Sequence, residues 1–390
     1  MEARERFVEL YGHEPKYRFS APGRTELSGN HTDHQHGVVL AAAVDMEAVA
    51  YVAVNGTDRI RVISEGHGSQ DIDVNDLKLH KDEYNTSAAL LRGTFAKYKE
   101  LGAAVCGMDI YVISSVLKGS GLSSSAAYEV LLGNIVNTIC YEGKANPIEI
   151  AQYGQWVENV YFGKPCGLMD QMASSVGNVV YIDFKDTANP IVEKIDFDFA
   201  NSGYSLCIID SGADHADLTP EYAAITNELA AVSEVFGKKV LRDVDEAEFY
   251  KKIPEVRKHA GDRGILRAIH IFRENKRVRK QIQALKDNDF ETYLTLAKEG
   301  GRSSYMYLQN VVPTGATVHQ EVAVALALAE ELLGGRGAFR VQGGGFAGTI
   351  QAFVPNDMVQ EFKTKIDAML GEGRCIIMNI RKEGGTAEKL

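Results

Sequence analysis

Several things are scarce or missing in this 390-residue sequence. It holds five cysteines, Cys106, Cys140, Cys166, Cys207 and Cys375, with no CxxC pair and no Cys/His zinc spacing. An odd number of thiols in a large chain argues against a disulfide framework and for reduced cysteines in a cytoplasmic protein. No apolar run approaches the roughly eighteen residues of a membrane span. The opening MEARERFVELYGHEP is charged and has no apolar segment, which excludes a secretory signal within it. Basic residues are outnumbered: Lys plus Arg is 42 against 53 Asp plus Glu, a net charge of −11. That balance argues against a nucleic-acid partner, though a local cluster can still bind a small anion. The GxxxxGK[ST] phosphate loop occurs nowhere. Gly119-x-Gly121-x-x-Ser124 lacks the third glycine of a dinucleotide fingerprint, and no convincing ribose acid follows it. Repeats and low-complexity segments are also absent.

What is present fits a globular protein with 45% hydrophobic and 24% charged residues, long enough for two domains. Glu2 to Tyr11 reads as an amphipathic helix. YRFSAP, VVLAAAVDMEAVAYVAV, DRIRVIS, MDIYVISSVL, NVVYIDF and YSLCIIDSG read as strands, several ended by glycine turns. Helices are predicted over Thr86 to Leu101, after the glycine-serine turn near Gly121, and over Ile148 to Tyr161. TPEYAAITNELAAVSEVFG predicts a helix with Thr219 as N-cap, Pro220 in the first turn and Gly237 past the end. More helices follow through Glu330. GAFRVQGGGFAGTIQAFVP reads as strand, glycine turn, strand. Composition shifts at TANP, Thr187 to Pro190, and places a boundary between domains 1–189 and 190–390.

Four stretches carry chemistry. In GSGLSSSAA, Gly119 to Ala127, glycines allow close backbone approach, and the N–H groups opening the next helix suit an anion. QGGGFAGT, residues 342–349, is a second glycine loop, where close approach of a backbone or a ligand is expected; taken alone it reads as structural before functional. GRTELSGNHTDHQHG, Gly23 to Gly37, concentrates Arg24, Glu26, Asp33 and three histidines, His31, His34 and His36. Metal binding there lacks an HExxH helix and nearby cysteines, and a clamp for hydroxyl-rich ligands suits carboxylate and imidazole better. CGLMDQ sets Asp170 among apolar neighbours, and Glu158 sits near a helix end. Taken singly, either acid reads as a solvated or capping side chain before a catalytic one.

Taken in order, APGRTELSGNHTDHQHGVVL, GSGLSSSAAYEV, GKPCGLMDQ and VQGGGFAGT resemble the GHMP small-molecule kinases, and among them the galactokinases. The FVELYGHEPKYRFSAPGR opening, DSGADHADLTPEY and RAIHIFRENKRV add to the resemblance, which spans nearly the whole chain. The resemblance implies an α+β fold of two domains with the active site in the cleft between them. It implies ATP, magnesium (Mg2+) and transfer of the γ-phosphoryl group to the anomeric hydroxyl of a sugar. By matched position, Asp170 would be the catalytic aspartate and Arg24 its partner. Asn30, His31, Asp33, Gly167, Asp170 and Tyr222 fall on sugar-contact positions. Gly119, Ser120, Gly121, Leu122, Ser123, Ser124, Ser125 and Ala126 would hold ATP, with Ser124, Ser125 and Glu158 toward the metal. The implied protein is a cytoplasmic monomer or weak homo-oligomer, with no nucleic-acid or membrane partner.

The sequence departs from the family wording, which is close to GRVNLIGEHTDYNxGxVLP. Thr25, Glu26, Ser28 and Asn30 interrupt it, and Asn30 stands where galactokinases carry a glutamate toward the C6 hydroxyl. His34 replaces a tyrosine, Ala41 and Leu117 stand at usual prolines, and Ile225 stands at a usual arginine. Galactose with sequence drift is one reading. Another is a C6-altered sugar such as galacturonate, which an anion-free pocket would repel less. A third is a non-catalytic sugar sensor of galactokinase type, against which the intact GLSSSAA and Asp170 stand.

Overall fold

Alternating and β-branched runs form most of the strands in the computed structural model, which describes residues 2–116, 121–164, 166–213 and 218–390. The strands are β1 (Tyr17–Ser28), β2 (Val38–Val54), β3 (Arg59–Ser64), β4 (Gly68–Asp73), β5 (Met108–Ser114), β6 (Val179–Asp183), β7 (Ile191–Ile195), β8 (Tyr204–Asp210), β9 (Ala338–Val341), β10 (Thr349–Pro355), β11 (Cys375–Met378) and β12 (Thr386–Lys389). The helices are α1 (Ala3–Tyr11), α2 (Ser87–Glu100), α3 (Ser124–Cys140), α4 (Pro147–Val157), α5 (Met169–Val176), α6 (Thr219–Glu234), α7 (Glu246–Lys251), α8 (Ile253–Lys286), α9 (Phe290–Ser303), α10 (Glu321–Leu333) and α11 (Val359–Leu370).

A large sheet runs β12-β1-β2-β5-β3-β4, and the long β2 carries two partners on one side. Its first part, Val38 to Ala42, pairs with β6, and its second, Ala48 to Val54, pairs with β5. Beyond the 189/190 division expected from sequence, β7 is the outer strand next to β6, and β12 returns to pair with β1. The second sheet, β11-β8-β10-β9, is antiparallel throughout. The apolar α3 lies in the main core with residues of β1, β2 and β5, and α10 and α11 supply the core of the second sheet.

Three details differ from the pattern-based expectation. YRFSAP is only the start of β1, which continues through Ser28 because the following polar residues are also paired to β2. The helix of TPEYAAITNELAAVSE begins at Thr219 itself, with Leu218 as N-cap and no side-chain cap bond. The helix expected to Tyr161 ends at Val157 and passes into a π-turn, Glu158–Phe162. Such turns cluster at functional sites because they re-aim side chains. Register shifts between Pro22 and Arg24, and between Glu26 and Ser28, break the ladder of β1 on both sides of Arg24. Bulges of this kind redirect a side chain out of the strict alternation.

Candidate active site

Arg24, from the irregular middle of β1, reaches across to the first turn of α5. Its Nε donates to Asp170 Oδ1 at 2.6 Å and its Nη2 donates to Oδ2 at 2.7 Å, a bidentate pair. Nη1 of the same guanidinium donates to the Gly121 carbonyl, so one side chain ties both motifs together. The Asp170 side chain keeps 31% of its surface accessible, enough to meet a ligand. Burial works to raise its pKa, but the Arg24 charge and hydrogen bonds, with the Ser123 hydroxyl, hold the carboxyl below its usual range. The carboxylate is therefore ionised at neutral pH.

Beside this pair, α3 begins at Ser124 after Ser123, whose φ of 55° lies in the left-handed region. A non-glycine residue held there stores strain, and such strain collects at ligand-binding turns. Gly121 has φ +72°, and a Cβ on it would stand 2.9 Å from Thr349 Oγ1 of the second glycine loop. The two glycine motifs thus meet: Gln342 Nε2 donates to the Gly121 carbonyl at 3.2 Å, and Thr25 Oγ1 donates to Gln342 Oε1 at 3.2 Å. The Leu122 and Ala126 side chains are buried, so only their backbone can face a ligand. Gly119 and Ser120 lie outside the described residues, as does the departure at Leu117.

A cavity of about 340 Å³ opens next to Ser124 and Ser125. Its walls include Leu90, Val112, Val116 and Phe162, with Ser87 and Asn85 among the polar groups. An apolar slot with a few polar groups, set against a helix start, suits a planar base attached to phosphates. No local motif marks this slot, because its lining comes from β5, α2, α3 and the π-turn.

Glu129 of α3 and Glu158 of the π-turn are both buried and share one amide. Gln171 Nε2 lies 2.8 Å from Glu129 Oε2 and 2.8 Å from Glu158 Oε2. Glu129 Oε1 has no partner. Burial first, then the Glu158 charge, push the Glu129 carboxyl well above its usual range. Glu129 went unnoticed in the sequence because its helix reads as apolar.

The polar wall is built on the second glycine loop. His31, at φ 60°, places Nε2 2.9 Å from the Gly344 carbonyl, and the Tyr222 hydroxyl donates to the Gly345 carbonyl at 2.9 Å. Burial pushes His31 down to about 4, so the ring is neutral at pH 7. With Nε2–H on Gly344, Nδ1 remains an acceptor for a hydroxyl. Asp33 lies beside Gly167, where an added Cβ would stand 3.3 Å from Asp33 Oδ2. Gly345, at φ +81°, admits no side chain: a Cβ there would fall 1.9 Å from the Asn310 carbonyl. Among the described residues no group of three or more His, Cys, Asp or Glu side chains is arranged to hold a metal ion.

Asn30 sits differently from its neighbours. It is fully buried, and its amide donates to Glu26 Oε1 at 3.0 Å and to the Gly343 carbonyl at 2.5 Å. Its oxygen accepts from Asn310 Nδ2 at 2.6 Å and Ser304 Oγ at 3.3 Å. Both amide hydrogens and both lone-pair directions are used, so in this arrangement Asn30 shapes the wall rather than offering it a free group. Compared with the family wording, Asn at the place of 26 and Glu at the place of 30 have exchanged, and the exchanged pair is hydrogen-bonded. Burial pushes Glu26 up to about 7, against the pull of Arg340 and Asn30.

Helix α8 braces this loop from behind, through residues of RAIHIFRENKRV. Glu274 accepts from Gly29 N at 3.0 Å and Ser28 Oγ at 3.1 Å. Asn275 Oδ1 accepts from Val38 N at 2.9 Å, and His270 Nε2 lies 3.0 Å from the Asn30 carbonyl. Burial acts to raise Glu274, yet Arg277, His270 and Arg340 hold it down at about 2.

The family model for the galactokinase galactose-binding signature matches residues 5–54, and that for the GHMP kinases N terminal domain matches residues 88–178. A galactokinase of Streptomyces coelicolor is 31% identical over 345 residues, covering 88% of this chain and 86% of that protein. A galactokinase of Actinobacillus pleuropneumoniae is 29% identical over 393 residues, covering 99% and 95%. Among solved structures, Lactococcus lactis galactokinase complexed with galactose superposes with a TM-score of 0.80 at 21% identity, covering 99% and 98%. A mevalonate kinase superposes with a TM-score of 0.65 at 15% identity, covering 94% and 99%. The α+β fold is thus that of the GHMP kinases, and the chain belongs to the galactokinase family.

Proposed function

We propose that the protein transfers the γ-phosphoryl group of ATP to the anomeric hydroxyl of galactose or a close analogue. The observation that carries this reading is the bidentate Arg24–Asp170 pair beside the start of α3. A sugar hydroxyl is a weak nucleophile at neutral pH. The Asp170 carboxylate, kept ionised by Arg24, accepts its hydrogen bond and takes its proton as the new O–P bond forms and the bond from the γ-phosphorus to the β–γ bridging oxygen breaks, releasing ADP. Arg24 also faces the developing charge on the transferred group. The N–H groups opening α3 cradle the polyphosphate, and the neighbouring cavity takes the base. His31, Asp33, Gly167 and Tyr222 orient the sugar, so positioning supplies much of the rate.

The unpartnered Oε1 of buried Glu129, close to the Glu158 carboxylate, supports a cation such as magnesium on this side of the site. Glu158 and Glu129 offer hard carboxylate oxygens, one of them without a partner, and Ser124 and Ser125 add hydroxyls at the helix start. When bound, the ion would supply positive charge to offset that of the polyphosphate. No described helix is long and apolar enough to cross a membrane. The five thiols are free, in keeping with a reducing, cytoplasmic setting.

A second reading rests on the buried Glu26–Asn30 exchange, which removes a fixed anion from the C6 side. An acidic sugar such as galacturonate would then meet less repulsion. The test is ADP release with galactose, galacturonate, N-acetylgalactosamine and arabinose. Turnover with galactose supports the first reading, and preference for galacturonate the second. Sugar and ATP binding without ADP release from any of the four would replace both with a sensor.

A further inference from the structure

On the outer side of α8, away from the Arg24–Asp170 pair, the chain builds a second cavity of about 390 Å³. In a protein of net charge −11, its lining holds Arg273, Lys276, Arg277, Lys280 and Arg302 against one acid, Glu299. Lys276 is paired with Glu246 at 2.5 Å. Arg273 lies over the Tyr307 ring, 5.1 Å from its centroid. Lys280 and Arg302 make no ion pair with a carboxylate among the described residues. Arg277 is 8% exposed, shares its charge with Glu274, and has only Glu299 at 3.8 Å near its Nε, which makes no hydrogen bond.

A solvated cationic face would leave these side chains splayed on a convex surface. Here they converge on a concavity floored by Leu296 and Ser303, and one guanidinium is buried with an unused donor. Converging cations with little neutralising charge focus potential on an anion. The volume suits a small molecule, and the Tyr307 and Met306 rim gives it an uncharged surface to rest on. We propose that this cavity is a regulatory site for a small phosphate monoester of the sugar-phosphate class, and that its occupancy weakens sugar binding.

The route to the sugar wall is short. Ser303 Oγ lies 2.9 Å from His270 Nδ1, and His270 Nε2 lies 3.0 Å from the Asn30 carbonyl. Arg277, in turn, is bound to Glu274, which holds Gly29 and Ser28. An anion drawing Arg277 outward loosens the Glu274 anchor and with it the loop carrying His31 and Asp33. The site itself rests on geometry alone; the sugar-binding consequence rests on the proposed function.

The test uses the full chain and the variant Lys280→Ala/Arg302→Ala, both exposed positions outside the catalytic machinery. Calorimetric titration with galactose 1-phosphate, pyrophosphate and inorganic sulfate at matched ionic strength measures binding without turnover. The expected result is an additional saturable site for galactose 1-phosphate in the wild type that the variant lacks. Equal response to sulfate, or identical isotherms for wild type and variant, overturns the site. Sugar affinity is then titrated with and without the phosphate at saturating ADP, which fills the nucleotide side. Wild-type sugar affinity should fall by about fivefold or more, the low end of ordinary coupling, beyond the direct competition at the sugar site that the variant alone shows. Saturable binding with no change in sugar affinity beyond that competition overturns the regulatory claim. Absence of ADP release in the sugar panel would count against the proposed kinase reaction while leaving these binding results intact.

Discussion

Replacing Arg24 by methionine separates the two things the guanidinium does. It removes two charge-assisted bonds to Asp170, at 2.6 and 2.7 Å, and leaves the carboxylate in place. In the wild type, burial pulls the Asp170 pKa up and Arg24 pulls it down, with the net below the usual range. Without Arg24, burial is opposed only by the Ser123 hydroxyl and the Lys164 charge. An aspartate beside an arginine is ordinarily lowered by about 1–3 units, so losing the partner returns a shift of that order. Each unit corresponds to about 1.4 kcal/mol between the two protonation states. Because Asp170 keeps 31% of its side chain accessible, the lower end of that range is expected. The assay is kcat/KM between pH 4.5 and 8, each enzyme normalised to its own plateau. Wild type should stay flat on the acid side until the lowest pH tested. Arg24→Met should show an acid limb moved up by about one unit or more relative to the wild-type limb. An unchanged acid limb would refute the claim that Arg24 sets the charge of Asp170.

Two further outcomes follow from the second glycine loop and the exchanged pair. Gly345→Ala places a Cβ 1.9 Å from the Asn310 carbonyl at φ +81°. Overpacking and left-handed strain together should cost about 2–5 kcal/mol in denaturant unfolding and raise the sugar KM; an unchanged midpoint would contradict the close approach. Glu26 is raised to about 7, so the folded state holds its proton where the unfolded state has lost it. Its stabilising contribution is full below the usual carboxylate range and is lost as pH rises through about 7. Relative to wild type, Glu26→Gln should therefore gain stability from pH 5 to pH 8, at most about 1.4 kcal/mol per unit; a pH-independent difference would count against the shift. His31, lowered to about 4, acts in the opposite sense. Its contribution is present above the ordinary histidine range and lost as pH falls toward 4, which flattens the wild-type curve.

Much of the site was legible because its parts are local. GSGLSSSAA must be a turn opening a helix, Arg24, His31 and Asp33 share one densely polar loop, and Asp170 is an acid among apolar neighbours. What escaped the sequence depends on distant segments arriving together. Glu129 hides in an apolar helix, and only its meeting with Glu158 over Gln171 gives it chemical meaning. The base-sized cavity draws on several elements with no motif between them. Asn30 looks available in sequence, but Glu26, Gly343, Ser304 and Asn310 occupy its amide. The glycine loop at 342–349 read as more structural than functional, yet its carbonyls hold both His31 and Tyr222. The fold was legible in its strands and helices. Its closure was not, because β12 pairs with β1 across almost the full length of the chain.

The most direct test of the account is Asp170→Asn, measured for turnover and for sugar and ATP binding together. The amide keeps the shape and removes the proton acceptor. The account expects kcat to fall by about 10²-fold or more, roughly 3 kcal/mol in the barrier, with both ligands still bound. Near-normal turnover in that variant would contradict it.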